Sequence, residues 1–320
     1  MSTNQRGIPA APGYPQYQNT FLIPPVMSDQ MLVTFYCESI YAQISTTDAL
    51  NELKGRGDTV YFLKEPCLTI RDYVKDGKII YDTMEADTCK FRVGSAKYFG
   101  IKIDKLDEMM MANWNRYLDI MTSNAARSFS QRIDCEMLAC LVTEADCNNK
   151  GAAAGVVSHA YNIGTPGAPV TLTSTNIIEF LSYMQAVLDE QCLPEAGRYI
   201  ILPPQAKPIL MNSELKAACA LSCGNGTSPI ADGQLPPALM GFRLIFTNCA
   251  PKTTDVTVSA VCHWVIAGLP MATAFVALAD MARTMSDKDS FDTYIAAMMA
   301  YGFAVLYPNA LAVGYVRFSV

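Results

Sequence analysis

The chain carries two histidines, His159 and His263, and eleven cysteines among its 320 residues. These side chains are the ones best able to act as base, nucleophile or metal ligand, so their spacing is the first test for chemistry. Cys262 and His263 are neighbours inside an apolar run. Adjacent residues of a strand point to opposite faces, which argues against a thiolate–imidazole pair there. His263 is instead expected to be a satisfied core or interface histidine. Cys219 and Cys223 have a metal-like look, but no second Cys or His pair lies nearby at ligand spacing, so no zinc site is expected. Asp72 and Asp76 are carboxylates close in sequence, yet they lie in a charged segment and read as a solvated or intersubunit face, not an acid/base dyad. Cys223-Gly224-Asn225-Gly226 is glycine-rich without a following Lys and helix. No Gly-x-Gly-x-x-Gly, Walker-type or Gly-x-Ser-x-Gly motif occurs. No catalytic residue, metal or cofactor is expected.

Composition excludes other classes. Only 17% of residues are charged and 51% are hydrophobic, the reverse of what disorder requires. A net charge of -6 leaves no excess of cations to displace counterions from nucleic acid. Eleven cysteines, an odd number scattered from Cys37 to Cys262, suit reduced core thiols better than a secreted disulfide scaffold. The N-terminus has one charge, Arg6, and no apolar run, so it is not read as a signal peptide. Two uncharged stretches, Val256 to Ala279 and Thr293 to Val316, reach bilayer-spanning length. Gly268-Leu269-Pro270 breaks the first and Pro308 the second, and neither has a basic flank. Both are read as buried strands and a small-residue helix, with no membrane span.

The elements that would position any site come in blocks. Residues 1–28 hold five prolines and a single charge, which predicts an extended arm, with Tyr14, Tyr17 and Phe21 spaced along it. Residues 56–105 hold 18 charges, ten basic and eight acidic. Lys75-Asp76-Gly77 is a turn signal between two strand-like runs, so this segment reads as a two-stranded hairpin projecting from the body. An ordinary solvated meander is the alternative. Phe99, Ile101 and Ile103 fall on one side of a strand. From Ile101 to Lys150 there is neither Gly nor Pro. Trp114, Leu118, Met121, Ala125, Phe129, Ile133, Met137 and Leu141 recur at steps of three or four, which predicts one long amphipathic helix. After Gly151 the pattern alternates between α and β. Ser174 or Thr175 is expected to cap a helix with the apolar face Ile177, Phe180, Leu181, Met184, Val187 and Leu188. Strands are expected at 199–202, 242–246 and 256–266, a short helix around 209–215 and a loop over 219–237. A small-residue helix is expected over Met271 to Arg283, then a polar turn and closing apolar strands. The fold class is α+β.

This order resembles that of the major capsid proteins of tailed bacteriophages, the Hong Kong 97-type shell fold. GDTVYFLKEPCLTIRDYVKDGKIIYDTMEADTCKFRVGSAKYFGIKID is similar to the family's extended E-loop and return strand. The long helix is similar to its spine helix. GRYIILPPQAKPILMNSELK and GQLPPALMGFRLIFTNCAP are similar to strand, helix and loop segments of the axial domain. AFVALADMARTMSDKDSFDTYIAAMMAYGFAVLYPNALAV is similar to the Ala-rich helix and closing segment. The resemblance implies an N-terminal arm and lead-in over 1–56 and an E-loop over 57–100. It implies a P-domain spine over 101–150 with closing segments from 283–308. The A-domain would be 151–282 with the C-terminal strand 309–320.

It also implies a structural protein, one polypeptide filling the hexamers and pentamers of an icosahedral virion head around double-stranded DNA. The intersubunit candidates are Tyr14, Tyr17, Phe21, Lys64, Arg71, Asp72, Lys75, Asp76, Lys78, Asp82, Lys90 and Arg92. The weakly acidic wall would touch packaged DNA only non-specifically. The expected partners are copies of the chain itself, a separate scaffolding protein, a portal and a cement or decoration protein, with assembly in the host cytoplasm. Some members form Lys–Asn crosslinks assisted by a Glu; Lys64, Lys75, Lys78, Lys90 and Asn309 are present, but no acid follows Asn309, and crosslinking is not expected. A bacterial nanocompartment shell shares the fold and stands as an alternative. An α/β enzyme is the remoter one.

Overall fold

The computed structural model describes residues 40–46, 59–63, 69–73, 75, 78, 81, 88–105, 114–213, 235–286 and 292–319. Tyr14, Tyr17, Phe21, Lys64, Asp76, Asp82, Cys219 and Cys223 lie outside them.

A seven-stranded mixed sheet organises the body. It is built from β4 (Val170–Leu172), β5 (Tyr199–Leu202), β6 (Ala238–Leu239), β7 (Phe242–Phe246), β8 (Lys252–Asp255), β9 (Ala260–Gly268) and β12 (Leu311–Phe318). The order is β4-β12-β9-β5-β7-β6, with β8 pairing β9. All four residues of β5, Tyr-Ile-Ile-Leu, are buried. An unbroken apolar run of this kind marks a strand covered on both faces. On one face, Ile200 and Leu202 pack with helix α3 (Ile177–Glu190). Each of the six apolar positions expected of that helix is buried. On the other, Tyr199 and Ile201 pack with Ile133, Met137 and Leu141. These come from the C-terminal half of the long helix α2 (Trp114–Glu144). Short helices α1 (Tyr41–Ile44) and α4 (Ala206–Met211) complete the helical set among the described residues, apart from three-residue 3₁₀ turns.

A three-stranded antiparallel sheet lies beside it, in the order β10 (Thr273–Ser286), β11 (Thr293–Val305), β3 (Ser95–Ile103). The small-residue helix expected over Met271 to Arg283 is therefore a strand. Its register with β11 runs from Thr273↔Val305 to Ser286↔Thr293, with an irregularity between Leu278 and Met281. Alanine favours helix locally, but the first residues of this strand, 273–276, are buried on both sides. Ala274 and Val276 face Phe91 and Leu306, while Phe275 faces the main core. Pairing and burial override the propensity. The expected boundary at 282/283 accordingly falls inside a strand, and the one at 100/101 falls inside β3, whose alternating burial bears out the facing of Phe99, Ile101 and Ile103.

Three smaller differences have local causes. Val256 to Ile266 is not one strand: β8 turns through residues 256–259, with Ser259 at φ 50°, into β9. Helix α3 starts after Asn176, whose Oδ1 accepts from Thr173 N at 2.7 Å and whose Nδ2 donates to Thr171 O at 2.7 Å; Ser174 and Thr175 do not cap it. The short helix near Pro208 sits a few residues earlier than expected. Among the described residues no helix is long and apolar enough to cross a membrane, and the two long uncharged stretches are strands with their turns.

Candidate assembly surfaces

Two stretches of the charge-dense segment form a two-stranded ribbon, while the described residues of the runs expected to be strands on either side of Lys75 (69–73, 78 and 81) are not in strands. β1 (Thr59–Leu63) pairs antiparallel with β2 (Thr88–Arg92), from Thr59↔Arg92 to Leu63↔Thr88. Strand alternation divides it into two faces. Phe62 and Phe91 lie on one, their rings edge-on at 6.4 Å. Phe91 and Val93 are buried with Ala274, Val276, Ala300 and Leu306, which roots the ribbon in the three-stranded sheet. Gly302 permits this close approach: a Cβ there would sit 2.7 Å from Arg92 O and 3.0 Å from Val93 Cα. Tyr61, Lys90 and Arg92 are exposed on the opposite face. The Lys90 ammonium lies 5.8 Å from the centre of its cross-strand partner's ring, Tyr61, a weak cation–π contact.

Ile70 is 97% exposed, and Tyr73 and Tyr81 are each 85% exposed. Arg71, Asp72, Lys75 and Lys78 are exposed among them. Isolated surface apolar residues need no explanation, but these three fall within twelve residues of sequence and are nearly naked.

The ribbon's root is tied to α2 by a charged cluster. Glu136 Oε1 lies 2.9 Å from Lys97 Nζ of β3 and 2.8 Å from Arg132 Nε. Its Oε2 accepts from the Tyr301 hydroxyl of β11. Burial works to raise the Glu136 pKa, but the hydrogen bonds from Tyr301, Lys97 and Arg132 outweigh it and hold the carboxyl below its ordinary range. Asp134, on the same helix, accepts from Ile40 N at 3.2 Å and Tyr41 N at 3.0 Å, so it holds the first described residues of the chain. At the helix's far end, buried Asn149 donates to Asn309 O at 2.7 Å and Leu311 O at 2.9 Å and accepts from Gln191 Nε2 at 2.9 Å. Composition and periodicity gave no sign of these roles, and Asp134 sits among other charges of the helix, Arg132 and Glu136.

The side chains first considered for chemistry are dispersed. His263 is buried, and neither ring nitrogen has a partner among the described residues. The expected satisfied histidine is thus corrected: it rests edge-on against Phe318 at 5.7 Å. Burial, with Lys252 adding to it, lowers its pKa and keeps it neutral. Cys262 lies on the opposite face of β9 and donates to Ala260 O at 3.8 Å. Burial and Glu144 push the Cys140 thiol up to about 12, and burial with Cys135 pushes Cys249 up to about 12. Thiols held protonated in this way are poor nucleophiles. No group of three or more His, Cys, Asp or Glu suited to a metal occurs among the described residues.

The chain as a whole has relatives. Residues 93–314, more than two thirds of the chain, match the model of a phage capsid protein family. The chain belongs to the phage capsid protein family. Among solved structures it is similar to one from Mycobacterium phage Che8, at 20% identity and a TM-score of 0.70, covering 95% of this chain and 98% of that one. The capsid of cyanophage P-SCSP1u matches at 14% identity and a TM-score of 0.67, covering 93% and 94%. The mature capsid of bacteriophage PhiM1 matches at 13% and 0.58, covering 92% and 91%. No curated protein sequence matches. At these identities the structures establish the fold, which is the Hong Kong 97-type shell fold the sequence resembles, and with the family they make the chain a structural major capsid protein of a bacteriophage.

Proposed function

We propose that this capsid protein builds its shell by lending surface to its neighbours. The ribbon acts as the E-loop and lies over an adjacent subunit. Residues 1–56 form the arm that does the same. Helix α2 with the three-stranded sheet forms the P-domain spine. The seven-stranded sheet with α3 forms the axial domain that meets its copies in hexamers and pentamers. The shell encloses double-stranded DNA, and the chain has no enzymatic activity. A separate scaffolding protein, a portal and a cement protein are the companions of this reading, with assembly in the host cytoplasm.

The exposure of Ile70, Tyr73 and Tyr81 carries it. Each would gain roughly 1.5–3 kcal/mol if fully covered, and the described part of the chain leaves them in water. Arg71, Asp72, Lys75 and Lys78 beside them bring both signs of charge, which select register and partner more than they add affinity. Negative-stain microscopy of the purified protein tests the reading directly. Closed shells or capsomers are expected, and particles isolated from infected cells should contain genome-length double-stranded DNA. A stable monomer at high concentration would contradict self-assembly, and particles loaded with an enzyme or metal instead of DNA would contradict the cargo.

A further inference from the structure

Several cysteines among the described residues carry free thiols, and three of these meet oxygen. Cys89 Sγ donates to Val305 O at 3.7 Å and Cys262 Sγ to Ala260 O at 3.8 Å, while Cys140 faces Glu144. Cys249 differs, because its thiol meets a second thiol. Its Sγ donates to Gln131 O at 3.6 Å. Gln131 lies one helical turn before Cys135 on α2, and a helical side chain leans back over the preceding turn. The Cys135 side chain therefore stands over the carbonyl that holds Cys249, and the two thiols act on one another. Both belong to the main core, Cys249 buried and Cys135 half-buried.

The backbone on each side is fixed. Cys135 lies inside α2, next to Asp134, which holds Ile40 N and Tyr41 N. Cys249 sits in the turn after β7, where its N–H donates to buried Thr247 Oγ1 at 3.1 Å. The two residues are 114 positions apart in sequence. We propose that Cys135 and Cys249 are a latent disulfide that, once closed, fastens α2 to the end of β7. The bond adds a covalent tie to the apolar contact that Ile133, Met137 and Leu141 make with Tyr199 and Ile201.

The oxidant is a low-molecular-weight disulfide. The partly accessible Cys135 thiol loses its proton and attacks one sulfur of that molecule. One small thiol leaves, and a mixed disulfide stands on Cys135. Cys249 Sγ then attacks the Cys135 sulfur as it loses its own proton, and the second small thiol leaves. Two protein thiols are oxidised and one small disulfide is reduced to two thiols. Burial, with Cys135, pushes the Cys249 thiol up to about 12, so the second step is slow at neutral pH. A reducing cytosol keeps such a pair open, and oxidising surroundings close it.

This inference goes beyond the assembly reading and is tested apart from it, since the bond forms within one copy. The full chain is purified with reductant, incubated with oxidised glutathione and digested without reduction. Trypsin with a glutamate-specific protease separates Cys135 from Cys140 and Cys147 and leaves Cys249 as the one cysteine of its peptide. Mass spectrometry should find the Cys135 and Cys249 peptides linked, in subunits and shells alike. Thermal unfolding should shift upward by roughly 5–10 °C against the reduced chain. Cys135→Ser should lose both the linked peptides and the shift. Free or glutathione-capped thiols at both positions after prolonged exposure, or linkage of either one to another cysteine, would overturn the inference. So would an equal shift in Cys135→Ser.

Discussion

The seven-stranded sheet and the ribbon use the same kinds of apolar residue and treat them in opposite ways. In the sheet, Phe180, Leu181 and Met184 of α3 are covered by Ile200, Val265 and Val316 of the same chain. Between the ribbon's two strands, Ile70, Tyr73 and Tyr81 have almost no cover. Hydrophobicity alone does not tell the regions apart; charge density does. The segment between those strands interleaves its apolar residues with Arg71, Asp72, Lys75 and Lys78, a mixture that no folded core accepts without pairing. In the function proposed above, burial-seeking side chains placed among charges are reserved for a contact made later, between molecules.

The sharpest way to break the comparison is to cut into the self-covered region. Phe180→Ala removes a ring that is 2% exposed, and the subunit should lose roughly 3–5 kcal/mol in chemical denaturation. A mild effect would mean the body is not self-sufficient. Next comes the seam between the regions. A side chain in place of Gly302 meets the backbone of Arg92 and Val93, so Gly302→Val should cost roughly 1–3 kcal/mol and make the ribbon's root more sensitive to limited proteolysis. Third is the Glu136 cluster. Its depressed pKa gives stabilisation that is fully present above the ordinary carboxylate value of 4.5 and is lost as pH falls through the lower folded value. Glu136→Gln should flatten that acid limb in thermal melts across pH, at a cost near neutrality of about 1 kcal/mol, since Arg132 and Lys97 are partly solvated. The smallest effect on the subunit should come from Tyr73→Ser, within about 0.5 kcal/mol of the parent. That variant should nonetheless assemble poorly by light scattering, which is where the two regions part most clearly.

Legibility in the sequence followed the same division. The face of α3, the run of β5 and the alternation of β3 were readable because period and burial agree there; the ribbon's strands, at 59–63 and 88–92, lie outside the runs next to the Lys75-Asp76-Gly77 turn signal. β10 was not, because its alanines favour a helix in isolation, and only pairing with β11 and packing beneath Phe91 make it a strand. The β8–β9 turn was hidden for a related reason: Val256 is 91% exposed, an apolar residue spent in a turn. The face of α2 was visible, but not that Met121, Ala125 and Phe129 stay half-buried where Ile133, Met137 and Leu141 are buried, since one chain's periodicity cannot show which of its faces goes uncovered. The holding roles of Asp134 and Asn149 depend on residues 94 and 160 positions away, a distance over which local pattern carries no information. Of the ribbon's candidate contact residues, Arg71, Asp72, Lys75, Lys78, Lys90 and Arg92 lie exposed.

In the assembly proposed above, surface left bare by one copy is covered by another. Hydroxyl-radical footprinting of Tyr73 and Tyr81, comparing dissociated subunits with closed shells of the same protein, tests it most directly. High reactivity is expected in the subunits and strong protection in the shells, with Val256, 91% exposed, as an internal reference in the subunits. Equal reactivity of the two tyrosines in both states would contradict it.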